Sequence, residues 1–209
     1  AERIYTQDLV HRPITEKSDF AHIGTGAKWL DALTSPAGSG FRGVSADYVK
    51  PRLNQPDLAL HHDVGPGACW SFSGPSGHLG VYLATDVVVE EVAIDHSRED
   101  WDRTLAPRHM ELWALIQGDG VVEQVKHWEA EGDHDPPSHF HSIFGRDKFL
   151  RIAHFEYDAD STDVTQYFPV DAGFRSLAIP LRVIVLLVLD NWGNDNHTCL
   201  YRLRVHGYP

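Results

Sequence analysis

The sequence LRVIVLLVLDNWGNDNHTCLYRLRVHGYP, residues Leu181–Pro209, decides the fold. It opens with Leu181–Leu189, a run of branched apolar side chains of strand length, which predicts a strand buried on both faces. Asn191-Trp192-Gly193-Asn194 then predicts a turn. Apolar and basic residues alternate from Leu200 to Val205, which predicts a second strand that returns beside the first. The C-terminal residues are therefore expected to belong to the core.

Further apolar runs of strand length are separated by turn residues along the chain. These runs are Trp70–Phe72, Leu79–Leu83, Val87–Ile94, Leu150–Tyr157 and Thr165–Val170. The segment Ser73–Gly77 is predicted to be the hairpin turn between the first two runs. A short helix is predicted before Lys17, and no long amphipathic helical pattern follows it. The predicted fold class is all-β, a single antiparallel β-sandwich.

The charge and the apolar content exclude two classes of partner. The formal net charge of -12 would repel a phosphate backbone, so no nucleic acid is expected to bind. No apolar run approaches the ~20 residues that a membrane-spanning helix needs. Membrane attachment is therefore expected only through a segment upstream of this chain.

The chain has two cysteines, Cys69 and Cys199. They lie far apart in the sequence, whereas the paired ligands of a zinc site are close neighbours. Residue spacing alone leaves two interpretations open, a pair of buried free thiols or a disulfide bond.

Several motifs occur in the order found in one known family. They are Asp63-Val64-Gly65-Pro66-Gly67-Ala68-Cys69-Trp70-Ser71-Phe72, Gly77-His78-Leu79, Asp95-His96, Ala106-Pro107, Phe155-Glu156-Tyr157-Asp158, Gln166-Tyr167-Phe168, Asn191-Trp192-Gly193 and Thr198–Gly207. Together they closely resemble SUN domains, the lumenal modules of nuclear-envelope bridges. The resemblance covers residues 19–209, apart from an insertion at about 117–148. Residues 1–18 would be the remnant of a helical stem.

The resemblance implies a function without catalysis. SUN domains capture the C-terminal peptide of a KASH-domain protein in the perinuclear space and so tether the inner to the outer nuclear membrane. The family's matching cysteines are bonded, so a Cys69–Cys199 disulfide is expected. His96 and Tyr201 match positions that receive the peptide's end. His197 replaces a family tyrosine, and Thr104 lies one step from a family serine. A homotrimer is the implied assembly.

Two further features follow from the resemblance. Residues Ser35–Asn54 would form a protruding lid, a hairpin or loop that pairs with the partner peptide; a plain surface loop is the alternative. Its apolar residues are Phe41, Val44, Tyr48 and Val49. Thr34 stands where some members carry a cysteine that bonds to the partner, so no covalent link is expected. The loop at residues 58–70, with Asp63, would hold a potassium ion, although Ala68 replaces a side-chain amide.

Three other hypotheses concern features that the resemblance to SUN domains does not explain. Gly132, His139 and His141 form part of a cupin-like metal signature, with the two histidines on one face of a strand; a solvated insertion is the alternative. A carbohydrate-binding sandwich would use exposed tryptophans, for which the candidates are Trp29, Trp101, Trp113 and Trp128. Asn196-His197-Thr198 is a glycosylation sequon, expected to stay unmodified because a glycan would crowd the predicted pocket.

Overall fold

The computed structural model describes residues 17–38, 55–100, 102–130 and 141–209. Nine strands occur in these ranges: β1 Lys28–Trp29, β2 Trp70–Ser73, β3 Gly77–Asp95, β4 His109–Leu115, β5 Phe149–Glu156, β6 Thr165–Pro169, β7 Leu181–Val188, β8 His197–Leu200 and β9 Arg202–Tyr208. Three α-helices accompany them: α1 Asp119–Ala130, α2 His141–Phe144 and α3 Ala172–Ser176. All strand pairs in the described ranges are antiparallel, which confirms the predicted β-sandwich.

Strand β3 joins the two layers of the sandwich. Its first half lies in a sheet of order β1-β3-β7-β4-β5, and its second half pairs with β6 on one side and β9 on the other. The register between β3 and β7 shifts between Tyr82 and Val87. Such an irregularity bends a strand and lets it pass from one layer to the next. The segment Ala84-Thr85-Asp86, which carries two polar residues, therefore interrupts the run of large apolar side chains without ending the strand.

Strand β7 is buried on both faces, as its apolar run predicts. Ile184, Leu186 and Val188 enter the main core between the two layers. Val185 and Leu187 enter a second apolar cluster on the outer face, together with Trp113, Phe144 and Phe149. Each face of β7 is therefore covered by other apolar groups, and the one polar residue of the strand is Arg182, which lies near its start and is partly exposed.

Two of the predicted strand pairings are wrong. Strand β2 does not form a hairpin with β3; it pairs with β8 in a separate two-stranded sheet, so Ser73–Gly77 connects two sheets. The C-terminal strand does not return beside β7 either. Strand β9 pairs with the second half of β3, from Val88 to Asp95. Alternating apolar residues fix which face of a strand is buried, but they do not specify its neighbour.

The prediction that no long helix follows Lys17 is also wrong. Helix α1 presents Val121, Val122, Val125 and Trp128 at helical spacing, and Val125 is fully buried in the main core. Trp128 packs edge-on against Phe174 of α3 and donates a hydrogen bond to Asp171 at 2.9 Å. The described part of the segment 117–148 is therefore packed on the sandwich through apolar side chains and is not merely a solvated insertion.

The predicted stem at residues 1–18 lies outside the described residues except for Lys17 and Ser18. The lid residues Phe41, Val44, Tyr48 and Val49 also lie outside them. Among the helices that the structure describes, none has the length and apolar character needed to span a bilayer.

Candidate functional site

A disulfide bond between Cys69 and Cys199 fixes the centre of the site. The Cα atoms of the two cysteines lie 5.6 Å apart. Strand pairing brings them together, because Cys199 in β8 lies opposite Ser71 in β2 and Cys69 directly precedes β2. Val64, Leu105 and Tyr201 pack around the bond in a small apolar cluster. The disulfide that the resemblance implied is thus confirmed.

The loop from His61 to Ala68 runs into this disulfide and is held by its own hydrogen bonds. The Asp63 carboxylate accepts the Gly65 N–H at 2.9 Å, and the Gly65 carbonyl accepts the Ala68 N–H at 2.9 Å. Gly67 has a φ of 77°, a conformation that favours glycine. Its N–H donates to the Tyr201 hydroxyl at 3.2 Å, which ties the loop to the residue between β8 and β9.

Beneath this loop lie His96 and Tyr201, two of the predicted site residues. Their rings meet edge to face with centroids 4.8 Å apart, and both side chains are almost fully buried. The Tyr201 hydroxyl donates to Asp100 at 2.7 Å, and the His96 Nε2 lies 3.9 Å from the same carboxylate. His96 Nε2 is buried and has no hydrogen-bond partner among the described residues.

Burial shifts the pKa of both groups toward the neutral form. Desolvation lowers the pKa of the His96 imidazole below its ordinary value, although the nearby Asp100 opposes the shift. Desolvation and Asp100 both raise the pKa of the Tyr201 hydroxyl above its ordinary value. Near neutral pH the site therefore contains an uncharged imidazole and an uncharged phenol beside a carboxylate.

A pocket of about 520 Å³ opens beside the loop. Its walls come from His61–Pro66, His96–Glu99 and Val164. The wall formed by His96–Glu99 is tied to Val164, since the His96 N–H donates to the Val164 carbonyl at 2.9 Å. The pocket is therefore bounded by the loop that the disulfide holds and by the segment that follows β3.

Thr104 and His197, the other two predicted residues, meet at the turn before β8. Asn194 links them: its Nδ2 lies 3.5 Å from the Thr104 Oγ1, and its Oδ1 accepts the His197 N–H at 3.2 Å. Thr104 is exposed and His197 is half-buried. The Thr104 hydroxyl also donates to Asp102 at 2.5 Å.

The predicted site residues thus form two groups that share the disulfide cluster. Asp63, His96 and Tyr201 lie on the side of the pocket, and Val64 packs against the disulfide cluster from that side. Thr104 and His197 lie on the side of the turn, where Leu105 packs against the same cluster. Sequence reasoning missed Asp100, which follows four residues after His96, and Asn194, which belongs to the Asn-rich turn. A carboxylate and an amide so close to predicted site residues were the available signal.

The cupin-like and the carbohydrate-binding hypotheses find no support in the described residues. His141 begins helix α2 and so does not lie on a strand with His139, which is outside the described ranges. Those ranges contain no group of three or more metal-binding side chains suited to an ion. Trp113 is fully buried, and Trp29 and Trp128 pack against the main core, so these three are not exposed sugar platforms. Trp101 is not described.

Solved structures with the same fold place the chain in a broad class of β-sandwiches. The family 32 carbohydrate-binding module of Streptococcus pneumoniae EndoD aligns with a TM-score of 0.55 at 14% identity, covering 91% of this chain and 99% of that chain. Allantoicase from Saccharomyces cerevisiae aligns with a TM-score of 0.53 at 12% identity, covering 93% of this chain and 44% of that one. At this identity the likeness concerns the fold alone.

Sequence comparison identifies the family within that class. A family model described as Sad1 / UNC-like C-terminal matches residues 49–141 and 143–209, and the chain belongs to this family. SUN domain-containing protein 3 of Bos taurus is 29% identical over 209 residues, which cover 93% of this chain and 48% of that protein. SUN domain-containing protein 2 of Mus musculus is 31% identical over 160 residues, covering 74% of this chain and 18% of that protein. The chain thus spans about half the length of the first relative.

Proposed function

We propose that this domain captures the C-terminal peptide of a KASH-domain protein in the perinuclear space and so tethers the inner to the outer nuclear membrane without catalysis. Family membership supports the proposal. The observation that carries it is the disulfide between Cys69 and Cys199, which holds the loop of the pocket against β8, the strand that begins at His197 and is followed directly by Tyr201. A buried disulfide also fits an oxidising lumen.

The hydrogen bonds in the site favour a division of roles. Tyr201 is buried and already donates a hydrogen bond to Asp100, and His96 packs against its ring, so we assign these two residues to the wall of the site. Thr104 and His197 lie at the more accessible turn. We assign to them the capture of the peptide's terminal carboxylate, which needs N–H or O–H donors. The Thr104 hydroxyl would turn from Asp102 to the ligand.

The peptide chain would add as a strand beside the lid. The lid itself is outside the described residues, but the segment that leads into it is not. Ala37 forms a β-bridge with Phe72, and the Gly38 N–H donates to the Ser71 carbonyl at 2.9 Å. The approach to the lid thus pairs with the edge of β2 that lies opposite β8. An extended peptide bound beside the lid would gain main-chain hydrogen bonds that depend little on its sequence.

A potassium ion in the loop at residues 58–70 and a homotrimer remain parts of the proposal. Asp63 is the carboxylate of this loop, and backbone carbonyls would supply the other oxygen ligands that a hard cation prefers. Potassium would stabilise the loop by linking these oxygens.

Sedimentation analysis of the purified domain would show whether it assembles as the proposed homotrimer.

Titration of a fluorescent KASH C-terminal peptide tests the assignment of Thr104 and His197. We expect Thr104→Ala and His197→Ala each to weaken binding about tenfold, a loss of roughly 1.4 kcal/mol. Asn196→Ala is the matched control in the same turn and should bind as the unmodified sequence does. Equal affinity for all four proteins would refute the assigned carboxylate site.

A further inference from the structure

The turn before β8 contains three asparagines that differ in their burial and in their hydrogen bonds. Asn191 is buried; its Nδ2 donates to the Asn194 carbonyl at 2.7 Å and its Oδ1 accepts the Gly193 N–H at 3.0 Å. Asn194 accepts two backbone N–H groups, from Asn196 at 3.0 Å and from His197 at 3.2 Å. The Asn196 side chain is exposed and makes no hydrogen bond with a described residue. The fold therefore uses two of these amides and leaves the third without a structural role.

Asn196 is also the first residue of the one Asn-x-Ser/Thr sequon in the sequence, Asn196-His197-Thr198. Thr198 is fully buried. Its hydroxyl donates to the Gly74 carbonyl at 2.9 Å and accepts from Asn191 at 2.9 Å. An enzyme that reads the threonine of the sequon cannot reach it once β8 has paired with β2. Modification of Asn196 is thus confined to the time before this segment folds.

The neighbouring disulfide supplies an independent argument about the compartment. Cys199 directly follows Thr198, and its bond to Cys69 is of a kind that forms in an oxidising lumen. That is the compartment in which N-linked glycans are transferred to sequons. Disulfide formation at Cys199 and glycan transfer to Asn196 therefore involve one segment of four residues, Asn196–Cys199. Whichever of the two reactions occurs first would hinder the other.

We propose that Asn196 is an N-glycosylation site that is modified before β8 closes onto β2. The Asn196 Nδ2 forms a bond to the anomeric carbon of a lipid-pyrophosphate-linked oligosaccharide and loses one proton. The carbon–oxygen bond to the pyrophosphate breaks, and its electron pair leaves with the lipid pyrophosphate. No oxidant is needed.

The expected crowding by a glycan applies to the turn side of the predicted site and not to the cavity beside the loop. The pocket walls come from residues 61–66, 96–99 and 164, none of which belongs to the turn. Crowding would instead affect Thr104 and His197 at the turn. If the proposed function is correct, the glycan hinders the capture of the peptide there, so modified molecules would form a separate, weakly binding pool.

Expression of the chain with a secretory leader in eukaryotic cells tests the proposal by mass spectrometry. We expect a glycan on Asn196 that peptide-N-glycosidase removes and that Asn196→Gln lacks. The positive control is Asp160→Asn in the Asn196→Gln background, because it creates a sequon with Ser161 and Thr162 at an exposed position. A glycan at position 160 in the control, with none on Asn196 in the original sequence, would overturn the proposal.

The timing is tested in the same cells by slowing disulfide formation with dithiothreitol. Occupancy of Asn196 should rise severalfold, whereas occupancy at position 160 of the control should stay constant. Unchanged occupancy at Asn196 would contradict the competition. Neither measurement involves the peptide, so both are independent of the proposed function.

Discussion

Replacing Cys69 and Cys199 together with alanine should destabilise the domain strongly. The bond joins residues separated by 130 positions. In the chain-entropy treatment, a loop of that length is worth about 5 kcal/mol at 25 °C. Without it, the loop of the pocket would keep its internal hydrogen bonds, but the Gly67 N–H would be its one hydrogen bond to Tyr201, and a single bond of this kind contributes only about 1 kcal/mol.

Urea unfolding of the original sequence and of the double variant measures this effect. With a slope of about 2 kcal/mol per molar, the midpoint should fall by roughly 2.5 M. The unmodified domain in dithiothreitol should unfold like the double variant, and the reductant should not affect the variant itself. A midpoint shift below about 0.5 M would refute the claim that this bond holds the site together.

Three further predictions concern stability, each measured by urea unfolding. Gly207→Ala should lower the free energy of unfolding by more than about 2 kcal/mol, because a Cβ there would lie 2.1 Å from a carbonyl oxygen of β3. Gly120→Ala, where a Cβ would meet open space, should leave the domain equally stable or more stable, and equal effects of the two substitutions would contradict the predicted clash. Burial lowers the pKa of His78 to about 4, below the usual 6.5, so the contribution of the neutral imidazole to the free energy of unfolding is complete above pH 6.5 and is lost as the pH falls toward 4. After discounting for solvent screening, this loss of free energy should be about 1–2 kcal/mol, and His78→Gln should make it smaller. Asn191→Ala should cost about 2–3 kcal/mol and Asn196→Ala nearly nothing, and a similar cost for both would contradict the assigned duties.

The elements that the sequence predicted well are those whose local pattern allows one interpretation. The run Leu181–Leu189 has no polar face, so it had to be covered on both sides, and the structure places one apolar cluster against each face. Cys69 and Cys199 were paired through the family motifs around them, since residue spacing had left free thiols open. The strand pairing of β2 with β8 supplies the geometry that sequence spacing lacks.

The elements that sequence reasoning missed depend on distant contacts. Tyr201 and Asp100 are separated by 101 positions, so their hydrogen bond has no local signature. The partner of β9 is set by the length of β3, whose polar interruption was interpreted as the end of a strand. Helix α1 has 12 residues, a length at which an isolated helix is marginal, and Val125 becomes a core residue only because the sandwich offers an apolar surface.

The central claim, capture of a peptide by its terminal carboxylate, is tested most directly by comparing two forms of one synthetic KASH C-terminal peptide. Isothermal titration should give at least about tenfold tighter binding for the peptide with a free carboxylate than for its amide, since amidation removes the negative charge that the turn donors would recognise. Equal affinity of the two forms, or no binding of either, would contradict the account.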